Sequence, residues 1–100
     1  MSFTLNIETD FSPKEVTEAI RSALEHEKHV AKYKVKRYSA ICKEFEEKKG
    51  FSSSELRAKF ETGIMGEESD FLEWYAAKRG MDHWSKKLEL LSGISLEKKL

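Results

Sequence analysis

The side chains that most often do chemistry are few here, and they are scattered. His26 and His29 stand three apart, Cys42 follows thirteen residues later, and His83 lies far down the chain. Zinc draws on such residues, but this spacing fits no standard ligand pattern. On one helix His29 and Cys42 would lie about 20 Å apart along the axis, so a single chain cannot bring them to one metal. Two chains with antiparallel helices could. Cys42 with His83 could serve as nucleophile and base, yet the sequence offers no Gly-rich loop and no third orienting residue. Glu44, Glu46 and Glu47 make a carboxylate run that reads as a solvated helix face. Catalysis needs a water-excluding hollow holding at least two groups in register. The expectation is therefore no enzyme, no catalytic residue, no metal and no cofactor.

A different chemistry is open to the segment between Glu27 and Glu44, which contains no acid. It holds Lys28, Lys32, Lys34, Lys36, Arg37 and Lys43, with Tyr33 and Tyr38 interleaved. At about 100° per residue, Lys28, Lys32, Lys36 and Lys43 form a stripe roughly opposite the apolar face. Such a stripe can track phosphates, which makes Lys28, Lys32, Lys36, Arg37 and Lys43 candidate nucleic-acid contacts. The blander reading is an ordinary solvated helix back. Lys plus Arg and Asp plus Glu number 18 each, so the chain lacks the basic surplus of most nucleic-acid domains. Any binding is expected to be weak and unspecific.

These residues are positioned by elements that the sequence marks clearly. In Ser69–Leu91, Trp74, Met81 and Leu88 recur every seven residues, as do Ala77, Trp84 and Leu91. That is an a/d seam on one helix, widened at its start by Phe71 and Leu72. Phe71, Trp74, Ala77, Met81, Trp84, Leu88 and Leu91 are thus expected in a core or an interface. Gly80 lies inside this helix and costs ~1 kcal/mol against alanine. A break there, with Asp82 capping a new helix, is possible. The unbroken seven-residue phase favours one continuous helix, with Gly80 allowing close backbone approach.

The chain before it reads in order. Phe3, Leu5 and Ile7 alternate with polar residues, the signature of a short strand at 1–10 or of an extended arm packing three apolar side chains. Ser12 then caps a helix, Pro13 takes its first position, Glu15 closes a capping box, and Phe11 and Val16 are placed as a staple. No breaker follows until Gly50, which predicts one helix over 13–48 of roughly 50 Å. Its apolar side carries Ile20, Leu24, Ala31, Tyr38, Ile41 and Phe45, bordered by Val35 and Cys42. Glu27 and Lys34 interrupt it, so the ends read as core and the middle does not. Such a helix outreaches a compact 100-residue globule, of radius of gyration about 13 Å. It must cross to another chain, project, or kink. Ser52, Glu55 and the Phe51–Leu56 staple start a short helix over 53–62, stopped by Gly63. A connector through Ile64, Met65 and Gly66 leads to the last helix, 67–92, with Glu67, Glu68 and Asp70 in its favourable first turn. Residues 93–100 read as a frayed tail.

One hundred residues at 39% hydrophobic and 36% charged make a single mainly α domain with solvated outer faces. The one cysteine excludes an internal disulfide and fits a reducing compartment. There is no signal-peptide pattern and no run of ~18 apolar residues, so the expected setting is cytoplasmic, with no membrane partner.

The stretch from Tyr38 to Leu91 resembles a family of small uncharacterised archaeal and bacterial proteins. The likeness rests on Tyr38 and Phe45 at a helix end, the GFSSSE of Gly50–Glu55, the FETGIMGEE of Phe60–Glu68 and the DFLEW of Asp70–Trp74. It covers about half the chain; the arm and the long first helix depart from the shortest members. The resemblance implies an antitoxin-like role, neutralising a small toxin by stoichiometric binding, with no catalytic residues to carry over. Three functions are therefore in view: a partner-binding protein of that kind, which is also expected to form a homodimer; a nucleic-acid-binding protein using the lysine stripe; and a purely structural self-associating module.

Overall fold

The computed structural model describes residues 4–63 and 69–96. Three helices follow in order: α1, Pro13–Lys49; α2, Ser53–Glu61; and α3, Ser69–Ser92. The expectations for Phe3, for the connector and helix start at 64–68, and for residues 97–100 lie outside the described residues.

The helix ends form where local chemistry demands them. Ser12 is extended, its Oγ accepts from the Glu15 N–H at 3.2 Å, and the Glu15 carboxylate accepts from the Ser12 N–H at 3.1 Å. Pro13 occupies the first position, where its missing N–H costs nothing. α1 runs one residue past the expected end and stops at Gly50, whose φ of 79° is left-handed. At α2, Ser52 Oγ accepts from the Glu55 N–H at 3.1 Å. The carboxylate placed on this helix start comes from α1: Glu46 accepts from the Ser53 N–H at 2.8 Å. The first helix thus caps the second. α3 is continuous through Gly80.

α1 and α3 lie antiparallel. Lys49 meets Asp70 at 3.6 Å near one end, Tyr38 lies against Gly80, and Glu27 meets Lys87 at 3.2 Å farther along. α2 closes the end where α1 stops. There the core forms from Cys42, Leu56, Trp74 and Ala77, bordered by Tyr38, Ile41, Phe45, Phe51, Phe71 and Tyr75. Trp74 has no exposed surface; it stacks on Phe45 with centroids 5.7 Å apart and tilts against Phe51 at 4.9 Å. Its indole N–H donates to Ser53 Oγ at 2.7 Å, which partners both buried polar groups. The seam therefore closes on its own chain. Met81, Trp84, Leu88 and Leu91 are only half-buried, because that half of α3 has α1 beside it but not α2.

Two expectations are corrected. The middle of α1 is not excluded from the core: Ala31 is fully buried. Glu27 stays beside it because Lys87 pairs with the carboxylate while its ammonium lies 4.9 Å from the Trp84 ring centre. The strand at the N-terminus is absent among the described residues; 4–9 are irregular and exposed, since no neighbouring strand is there to pair with. Leu5 is 71% and Phe11 72% exposed, so Leu5 of the arm and Phe11 of the staple are left largely in solvent, while Val16 is half-buried. Phe11 does stand beside Pro13 and Val16, but nothing presses it down, because α1 projects there.

At ~1.5 Å per residue α1 is about 55 Å long and α3 about 36 Å. The molecule measures 57 × 24 × 19 Å, with a radius of gyration of 19.3 Å. Within this one chain the first turns of α1 project past the end of α3. Among the described residues no helix is long and apolar enough to cross a membrane.

Candidate functional site

At the closed end, α2 is tied to α3 by a polar cluster. The Arg57 guanidinium donates to Glu61 at 2.9 Å and to Asp82, Lys78 donates to Asp82 at 2.9 Å, and the Tyr75 hydroxyl donates to Glu61 at 3.3 Å. Phe60 and Tyr75 stack alongside, centroids 4.2 Å apart. Burial alone would raise the Asp82 pKa, but the hydrogen bonds and charges of Lys78 and Arg57 outweigh it and hold the carboxyl below its ordinary value. Glu61 and then Asp82 hold the Arg57 guanidinium above its own. This cluster was missed in the sequence. Its available signal was two i,i+4 pairs, Arg57 with Glu61 and Lys78 with Asp82, which mark charged positions but not that they meet. Every member has a partner, and the pairings tie α2 to α3.

Cys42 is buried in the core beneath this clamp. Burial pushes its thiol pKa up; the Ser53 hydroxyl and Lys78 pull against that, Glu46 and Asp82 push with it, and the net shift is upward. The nucleophilic form of cysteine is the thiolate, which burial disfavours here. His83 is exposed and meets the edge of Trp84, centroids 5.4 Å apart, while His26 and His29 are exposed on α1. The fold brings none of these histidines into the Cys42 cluster. Among the described residues no three His, Cys, Asp or Glu side chains converge as metal ligands would.

The expected nucleic-acid contacts separate. Lys32, Lys36, Arg37 and Lys43 are exposed, and Lys28 is half-buried with its ammonium 3.3 Å from Glu25. Arg37 falls about 100° round α1 from Lys36 and stands outside the stripe. Of the expected seam residues, Trp74 and Ala77 are buried, and Phe71, Met81, Trp84, Leu88 and Leu91 partly so. Trp74 and Ala77 belong to the core cluster of this chain, and Phe71 packs against it.

Of the large apolar side chains left exposed, Leu5, Ile7, Phe11, Leu90 and Ile94 lie toward the open end, while Tyr33 stands midway along α1 and Leu72 in the first turns of α3. Leu5, Ile7 and Phe11 stand exposed before and beside the first turns of α1, and Leu90, at 63% exposure, and Ile94 at the end of α3. Ile7, Thr9 and Phe11 edge a shallow hollow with Pro13, Val16 and Thr17. Leu90 and Ile94 edge a second, mostly apolar hollow with Lys86, Glu89 and Gly93. Compared with known proteins, this chain matches no protein-family model, no curated protein and no solved structure.

Proposed function

We propose that this chain is a non-enzymatic partner-binding protein, antitoxin-like in role, that neutralises a small protein by stoichiometric binding at the open end of its helix pair. The observation that carries this reading is the exposure of Leu5, Ile7, Phe11, Leu90 and Ile94 around the projecting turns of α1. Apolar side chains that cluster at the surface mark interaction sites more often than chance. An amphipathic helix flanked by them suits docking into an apolar groove on a partner. The non-enzymatic half of the reading is supported by the closed end, whose polar groups are engaged with one another and whose thiol is buried and neutral. The antitoxin-like half is supported by the resemblance over Tyr38–Leu91, and a cytoplasmic setting by the single unpaired cysteine.

The test is co-expression with the product of a neighbouring gene, followed by light scattering on the purified complex. A one-to-one complex is expected, and Phe11→Asp with Leu90→Asp should abolish it without lowering the melting temperature. A complex undiminished by the double variant overturns the reading. So does a homodimer that covers the same residues and shuts the partner out.

A further inference from the structure

We propose that the cationic flank of α1 docks the phosphate backbone of a duplex nucleic acid without reading its sequence. Lys32, Lys36 and Lys43 are exposed, and none of them forms an ion pair with a described residue. Lys28 continues their line toward the open end. At 100° per residue the four fall within about 80° of arc, and they span about 22 Å of the helix axis.

Several cations elsewhere are paired along their own helix, as Lys28 is with Glu25, whereas Lys32, Lys36 and Lys43, like Lys34, Arg37 and Lys86, form no ion pair with a described residue. Arg21 is paired with Glu18, Lys48 with Glu44, Arg57 with Glu61 and Lys78 with Asp82, each three or four residues away on the same helix. Lys28, Lys32 and Lys36 instead follow one another at four-residue steps, a spacing at which like charges repel and weaken a helix. The nearby acids are engaged: Glu25 with Lys28, Glu44 with Lys48, and Glu46 with the Ser53 N–H of α2. Glu47, beside Lys43, closes the row at its far end. A row of cations on one helix face, with no acid three or four residues from Lys32 or Lys36, is complementary to a line of regularly spaced phosphates.

Two features choose this partner over an acidic protein and set its specificity. Within the arc the interleaved side chain is Ser39, with no aromatic anchor of the kind that protein interfaces rely on. Lysine ammoniums are point charges that neutralise phosphate but lack the fork geometry that reads base edges. The site is independent of the open end, because it lies on the stretch of α1 that runs beside α3.

Fluorescence anisotropy with two unrelated DNA duplexes of about 20 base pairs tests the proposal. At low salt both should bind equally, and log K against log salt should fall with a slope of about −2.7, from three free lysines at ~0.9 each. Lys32→Gln with Lys36→Gln and Lys43→Gln should weaken binding at least about tenfold and flatten the slope, whereas arginine at the same three positions should retain both. Circular dichroism should show both variants folded, since all three side chains are in solvent. No binding at low salt overturns the proposal, as does wild-type binding by the glutamine variant. Binding of polyglutamate with no binding of duplex also overturns it, and would assign the row to an acidic protein.

Discussion

A methyl group at Gly80 would sit 2.9 Å from two ring carbons of Tyr38, closer than real Cβ contacts allow. Alanine there would gain ~1 kcal/mol of helix propensity, but overpacking typically costs 1–3. Gly80→Ala should therefore destabilise the chain by about 1 kcal/mol, and should become stabilising once Tyr38→Ala removes the ring. Urea denaturation of the two single variants and the double variant measures this; an equal effect in both backgrounds would mean that the ring is not what keeps Gly80 small. The close approach at this residue was legible in the sequence, since an unbroken seam through a glycine calls for one. Its partner was not legible, because an aromatic ring forty-two positions away in the sequence leaves no local signature. The same holds for Trp74: its burial could be read from the seam, while the Ser53 hydroxyl that receives its N–H could not.

Element by element, what could be read was what is local. Ser12, Pro13 and Glu15 start α1 from within four residues of chain, and Gly50 ends it. How α2 docks could not be read, because its ties reach across the fold: Glu46 from α1 to the Ser53 N–H, and Arg57 to Asp82, 25 residues away. Of the two readings of the first ten residues, strand or arm, the described residues show no strand within one chain, since alternation describes a side-chain pattern and not the neighbour that a strand needs. The Arg57–Asp82–Lys78 tie makes a prediction with a definite sign. The Asp82 pKa is lower folded than unfolded, so its contribution is fully present above the unfolded value and is lost as pH falls through the folded one. The melting-temperature gap between the native chain and Asp82→Asn should thus be widest near neutrality and close in strong acid. A gap that stays constant with pH would show that the carboxylate charge contributes nothing to docking α2. At the other extreme, raising the pH past the ordinary thiol range should weaken the fold, because the buried Cys42 favours the protonated form.

Across the whole molecule, stability is set out along one axis. One end holds Trp74, Leu56 and Cys42 under three helices; the other holds the first turns of α1, flanked only by the arm and by residues 94–96. Helical turns without tertiary cover are marginal in water, and local opening follows the density of buried apolar contact. Amide hydrogen exchange should accordingly fall into a gradient on this single continuous helix: slow around Ala31–Phe45, fast before Leu24. Mutation at the closed end should speed exchange everywhere, since it removes the global core, whereas mutation at Ile20 should speed it only locally. Adding a partner that occupies the open end should slow exchange before Leu24 and leave the closed end unchanged. Uniformly slow exchange along α1 in the isolated chain would contradict an uncovered end. If that protection faded on dilution, a second copy would be the cover, and the apolar side chains at Leu5, Phe11 and Leu90 would belong to a homodimer rather than to a different protein.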